Sequence, residues 1–321
     1  FTIEKVFAID LLPLERWWRG VGNWAFLILE VTFAVTANAL TFFRSKDFIF
    51  SRSKAASVVS ILLGQPTVFE SHETAKDRWV NRLVASKAKR VIAITKPIKR
   101  SWEALGAKTI YAPDGVSEEF FRFVPKKEAR RKLGLPLDKT IIGYVGSLVA
   151  LNREKGIREL ILAIKKLAVG KKYLLCCIIG GPEGWRQNYE DFAKKQGIQK
   201  QVVLRGHVPF EKTPLYLQAM DALVIPLPDT PHFAFNTSPL KLFEYMASGR
   251  PIVASDLPTI REVVDQETAV LVKPDNANEL ATGIQTLIEN PQFSQKLAKN
   301  AQKIAKQYTW LKRAKRILDS I

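Results

Sequence analysis

FNTSPLKLFEYMASGRPIVASD, running from Phe235 to Asp256, decides the reading of this chain. Thr237 or Ser238 is suited to cap a helix, and Pro239 to occupy its first turn, where no intrahelical N–H is needed. Leu240, Phe243 and Ala247 recur at helical spacing, Gly249 stops the helix, and Pro251 follows where it cannot continue. Ile252-Val253-Ala254 is a short apolar run that reads as a buried strand. The order loop, helix, strand exposes a helix start, whose unpaired N–H groups and positive dipole end suit a phosphate. Lys241 adds a cation in the first turn, and Glu244 lies three residues on along the same face. A carboxylate placed there can accept hydrogen bonds from both hydroxyls of a ribose. The stretch therefore fits a nucleoside diphosphate lying along the helix start; the alternative is an ordinary capped helix with a surface Lys and Glu.

Toward the N-terminus the same rhythm repeats. Thr140 to Gly146 is an apolar strand ending in glycine, a residue that lets backbone approach a ligand closely. Ser147 to Glu154 reads as a loop, and Ile157 to Leu167 as a helix. Lys172–Ile179, Val202–Leu204 and Asp221–Pro226 are further strands, and Asp229 to Phe235 a loop. Downstream, Ala269 to Val272 is a strand, and three helices follow, the last basic, from Leu311 to Ile321. In the first third of the chain, Asp47–Phe50, Pro66–Glu70 and Val91–Ile94 read as strands separated by helical stretches. This alternation is that of a parallel α/β sheet. His72 falls at the carboxyl end of one of these strands, where open parallel sheets place ligands. The charged stretch Glu118 to Lys132, with Pro125, is read as the interdomain connection.

SPLKLFEYMASGRPIVASD is similar to the donor-site signature of the retaining, nucleotide-sugar-dependent glycosyltransferases of family 4, the group 1 transferases. The resemblance covers the chain from about Asp47 to its end. It implies the GT-B architecture: two Rossmann-like α/β domains with the ligand cleft between them. The boundaries expected are 1–132 for an acceptor-side domain and 133–308 for a nucleotide-sugar-binding domain, with 309–321 packing back on the first. The family's opening strand and glycine-rich loop are missing, so the first domain is expected to be incomplete at its N-terminal side. The family pattern has two glutamates separated by seven residues. Glu244 matches the second, near the ribose, and Asn236 stands at the first. Lys155, in Lys155-Gly156, matches a cation that binds the donor diphosphate. Ser147 stands where the family has an arginine after the glycine, and Arg153 is a candidate to supply that charge. VFESHE resembles the strand ending in a histidine that faces the donor sugar, a role carried to His72. The backbone around Gly206, with His207 and Val208, is expected beside the nucleobase. Gly146, Thr237, Ser238, Pro239 and Leu240 complete the expected donor contacts. The resemblance implies a nucleotide-sugar donor, a glycan or lipid-linked acceptor, and no metal or other cofactor.

Composition narrows the partners. The 321 residues carry 49 basic and 31 acidic side chains, a formal charge of +18, which points to an anionic partner. Ser86 to Arg100 is rich in Lys and Arg with no acid, but interleaved aromatics are scarce, which disfavours a base-stacking nucleic-acid site. An anionic membrane surface on the cytoplasmic side is the further partner expected. Cys176 and Cys177 are adjacent in a strand, point to opposite faces, and fit a reducing compartment. Trp24 to Phe43 is the most apolar window and reads as a core helix rather than a span. Two other functions stay open at this level: a nucleotide-sugar epimerase of the same fold, with His72, Glu70 and Glu73 as acid–base candidates, and a non-enzymatic basic protein binding membranes or nucleic acid.

Overall fold

The computed structural model describes residues 32–39, 47–151, 153–170 and 173–321. The segment before residue 32, with its Trp17–Trp18 pair, and most of the Trp24–Phe43 window lie outside the described residues. Residues 32–39 of that window are helical, with Ala34 and Asn38 buried and Phe33 and Val35 exposed, so this part is a surface-layer helix and not an interior one. Among the described residues no helix is long and apolar enough to cross a membrane.

Two compact units are present. The described residues within Phe1–Ser71, Ala75–Ile92 and Ser101–Thr109 make the first, and those within His72–Thr74, Ala93–Arg100 and Ile110–Ile321 the second. Residues 110–132, assigned to the first domain on sequence grounds, contribute to the second unit's core. Val116, Phe120 and Ala129 pack in one apolar cluster with Ile141, Val145 and Leu217. Residues 309–321 also belong with the second unit, and there they meet Ala112 to Val116: Val116 N donates to Tyr308 O at 2.8 Å, and Arg313 Nε to Pro113 O at 2.9 Å.

A four-stranded sheet has the sequential order β1 (Ile49–Ser51), β2 (Thr67–Ser71), β3 (Arg90–Ala93), β4 (Thr109–Tyr111). Ser53 caps the helix Lys54–Leu62 by accepting from Ala56 N, which then returns the chain to β2, parallel to β1. Lys96, Lys99 and Arg100, at the end of the basic stretch Ser86 to Arg100, lie within a helix Lys96–Glu103.

The second unit is built on β5 (Thr140–Val145), a small antiparallel hairpin β6 (Val149–Ala150) and β7 (Arg153–Glu154), β8 (Leu174–Ile179), β9 (Val202–Arg205), β10 (Ala222–Ile225), β11 (Ile252–Ser255) and β12 (Val270–Val272). Six of these form a sheet of order β12-β11-β10-β5-β8-β9, parallel at every pairing. Parallel strands covered on both faces read as continuous apolar runs, as Leu174–Ile179 does. Its alternate residues enter opposite cores: Cys177 and Ile179 one, Cys176 and Ile178 the other. Both thiols are buried and free, as the adjacent pair predicts. The chain winds outward from β5 to β9, then returns to β10 on the other side of β5. Ligands of open α/β sheets bind at such a reversal, beyond the carboxyl ends of the strands.

The opposite end of this sheet is tied by a buried guanidinium. Arg130 donates Nε to Ala219 O at 2.8 Å, one Nη to Lys139 O at 2.8 Å, and the other to Asp221 Oδ2 at 2.6 Å. Asp221 also accepts from Ile141 N at 2.7 Å and from Lys126. Burial alone would raise the Asp221 carboxyl, but Lys126, the Ile141 amide and Arg130 hold it below its ordinary value. The Arg130 side chain is only 3% exposed, so removing its carboxylate leaves a charge in the interior. Asp221→Ala is expected to lower unfolding free energy by about 3 kcal/mol, read as a shift of the urea midpoint; an unshifted midpoint would contradict this account.

Candidate functional site

The site grows from two strand ends that touch. Gly146, after β5, has φ +140° and donates its N–H to Ile179 O at 2.9 Å. Gly180, after β8, has φ +149°, and a Cβ there would sit 2.0 Å from Gly146 O. Only glycine permits this approach. Beyond these ends opens a cavity of about 540 Å³, walled by Gly146, Ser147, Gly180, His207, Val208 and Glu244 among others. It draws on the carboxyl ends of β5, β8 and β9, to which the helix Leu240–Ala247 adds Glu244.

That helix is clamped to β5 by residues four apart on one face. Tyr245 Oη accepts from Val145 N at 2.7 Å and donates to Val145 O at 3.0 Å. Lys241 Nζ donates to Tyr144 Oη and lies 3.8 Å from the centre of the Tyr144 ring. Tyr144 Oη in turn donates to Ser147 O at 2.6 Å. Both tyrosines are fully buried and Lys241 nearly so. Neither tyrosine was singled out from sequence; the available signal was Tyr245 four residues after Lys241.

The helix start differs from the sequence reading. Pro239 is the N-cap residue rather than a first-turn residue, and no side chain caps the helix. Thr237 Oγ1 donates instead to His232 O at 3.0 Å, and Ser238 Oγ accepts from Asp114 N at 2.9 Å. The two hydroxyls brace loops, which leaves the first-turn amides near Leu240 without a side-chain acceptor. The residues before this helix, read as a loop, include a short helix Pro231–Phe235 whose cap is Thr230. Asn236 ends it, and Asn236 Oδ1 accepts from Thr74 N at 3.0 Å. His72, half-buried one residue past β2, lies two residues from that contact.

Charge is unbalanced here. Burial lowers Lys241 well below its usual range, as does the nearby charge of Lys155, with Glu244 opposing. Burial raises Glu244 to about 7, with Lys241 opposing. Burial also lowers Lys155. His232 is lowered by burial and then by Arg153 and Lys155. Lys155 is therefore within field range of both Lys241 and His232. Its position is fixed by Gly156, whose φ of +73° and contact with Pro226 would not admit a Cβ, 1.7 Å from the carbonyl oxygen. Among the described residues no hydrogen-bond donor reaches the Glu244 carboxylate. Lys241 is the cation that acts on Glu244, and Lys155 adds a like charge to Lys241.

The structure thus brings Gly146, Ser147, His207, Val208 and Glu244 to one cavity, with Lys241 beside Gly146. Gly206 joins β9 to His207 without lining the cavity. Ser147 is turned into its own hairpin, donating Oγ to Val149 O at 2.6 Å, and Arg153 is exposed on β7. Glu70 is buried and paired with Arg52, Nε to Oε1 3.5 Å, a structural role.

Residues 125–304 match the family model of the glycosyl transferases group 1, and the chain belongs to that family. It is 25% identical over 244 residues to the alpha-D-kanosaminyltransferase of Streptomyces kanamyceticus, 73% of this chain and 60% of that protein. It is 32% identical over 160 residues to the putative teichuronic acid biosynthesis glycosyltransferase TuaC of Bacillus subtilis, 50% of this chain and 36% of that protein. The chain thus spans between about a third and three fifths of these curated relatives. Among solved structures, Anabaena Alr3699/HepE in complex with UDP superposes with TM-score 0.72 at 22% identity, over 91% of this chain and 81% of that one. The fold is the GT-B type.

Holding Glu244 in the interior destabilises the ligand-free fold. Because its folded value of about 7 exceeds the unfolded 4.5, the native state binds more protons between these values, and stability falls as pH rises through that window. Glu244→Gln is expected to be more stable than wild type at pH 8 by about 1–3 kcal/mol and near-equal at pH 4.5. Urea unfolding at both pH values checks this.

Proposed function

We propose that the protein moves a sugar from a nucleoside-diphosphate sugar to a hydroxyl of a glycan or lipid-linked acceptor, with retention at the anomeric carbon. Glu244 carries the reading: a desolvated carboxylate that receives no hydrogen bond among the described residues, on the cavity wall, one turn from a helix start without a side-chain cap. In this reading it accepts from both ribose hydroxyls. The base lies by Gly206, His207 and Val208, and the diphosphate rests on the Gly146–Ser147 backbone and on the amides at Ser238–Leu240. Lys241 and Lys155 stand over its oxygens, with Arg153 adding charge from the hairpin. Asn236 and Thr237 hold the loop beside the sugar, and His72 faces the sugar as its ring becomes cationic. The complexes of the Anabaena protein with UDP and UDP-glucose support a nucleotide-sugar donor.

The bond that breaks joins the anomeric carbon to a β-phosphate oxygen. The bond that forms joins that carbon to the acceptor oxygen on the same face, and the acceptor's proton passes to an oxygen of the leaving phosphate. Negative charge grows on the diphosphate as it departs. Donors already aimed at it need little reorganisation, and losing one costs on the order of 3 kcal/mol of barrier. These cations are side chains, so transfer is expected to persist in a chelator. The net charge of +18 supports a peripheral position at the cytoplasmic face of an anionic membrane.

Nucleoside diphosphates are expected to raise the melting temperature. Lys241→Met and Glu244→Gln should abolish that shift and cut transfer about a hundredfold. Unchanged affinity and turnover in both variants would reject the site. Ribose hydroxyls stabilise the carboxylate form, so affinity is expected to rise as pH passes upward through about 7. Calorimetry of the wild type in buffers of different ionisation heat should show proton release on binding below that pH and none well above it.

A further inference from the structure

We propose that the Trp310–Leu318 helix is a membrane-docking element that lies along an anionic lipid surface. This deepens the membrane partnership proposed above and rests on it. The helix is firmly anchored on one side. Thr309 Oγ1 accepts from Lys312 N at 3.3 Å, Val116 and Thr309 form a parallel bridge, Arg313 Nε donates to Pro113 O at 2.9 Å, and Ile317 is buried. Its free side is the unusual one. Leu311, Ala314 and Leu318 recur at i, i+3 and i+7, so they form one stripe, and all three are exposed. Leu311 is 76% exposed, Leu318 44% and Trp310 41%. A stable protein surface seldom presents an apolar stripe along a helix without a use for it.

Charge names the occupant. From residue 290 to 318 the chain holds eight lysines and arginines and no acid. Lys312 and Lys315 are exposed along the stripe's edge, and Lys303 and Lys306 are exposed on the turns before it. An apolar stripe rimmed by lysines, with an aromatic ring at one end, matches a helix lying in the interface of an anionic bilayer, its leucines among acyl chains and its lysines at headgroup phosphates. A second protein chain of neutral or basic surface would leave these cations opposed by nothing.

The test sediments the full chain with vesicles of phosphatidylglycerol and phosphatidylcholine, or phosphatidylcholine alone. Wild type is expected to bind the anionic vesicles and not the zwitterionic ones. Leu311→Glu with Leu318→Glu, and separately Lys312→Glu with Lys315→Glu, should each lower partitioning at least about tenfold. Melting temperature and its shift with nucleoside diphosphate should stay as in wild type, since all four side chains are exposed. Absence of wild-type binding would overturn both this proposal and the membrane reading. Equal binding by all three proteins would overturn the helix assignment and leave the membrane reading standing. A lowered melting temperature in the leucine variant, or a dimer by light scattering that it dissociates, would show protein covering the stripe and overturn the proposal.

Discussion

An ammonium held in the interior against a tyrosine ring sets the terms for the second unit. Lys241 has left water, and its partners are the Tyr144 hydroxyl and ring with one carboxylate nearby. Such a charge is tolerated only where surrounding structure over-determines its place. Here Tyr245 grips β5 through both polar atoms of Val145, so the helix cannot slide and carry Lys241 outward. Gly146 lacks the Cβ that would press on the ammonium, and Gly180 lets the Gly146 carbonyl approach. The result is a region less stable than an apolar one would be.

Much of the fold was legible because parallel strands covered on both faces are continuous apolar runs. Ile141 to Val145, Leu174 to Ile179 and Ile252 to Ala254 can hardly be read otherwise. The hairpin Val149–Glu154 was not legible, since two-residue strands carry no periodicity, nor was the helix Pro231–Phe235, too short to show a stripe. The boundary at residue 132 was drawn from charge and proline. Charge marks what faces water on Lys126–Leu133, while Phe120 and Ala129, which decide what the segment packs on, are too few to read in advance.

The site divides along the same line. Residues that act through backbone or through sequence-local placement were legible: the glycine ending β5, and the Lys and Glu one turn apart. Residues that act by long-range contact were not. Tyr144 meets Lys241 across 97 positions, and Ser238 braces Asp114 across 124. No local pattern encodes either. The error at the helix start has the same origin. Thr237 and Ser238 have the chemistry of caps, but tertiary partners for their hydroxyls compete with the helix and win.

That competition bears on what a serine, and not an arginine, does at position 147. Ser147 spends its hydroxyl on its own hairpin, and its carbonyl on Tyr144. The position therefore supplies geometry, seating the phenol that receives the lysine. The charge enters from elsewhere in the chain, through Lys241 on the helix and Lys155 held by Gly156 against the end of β10. A guanidinium at 147 would stand near that buried ammonium with no added acid to offset it. With a neutral residue there, desolvation and one like-charge neighbour already lower Lys241; a further cation would push it closer to losing its proton, and with it the charge that a diphosphate would meet.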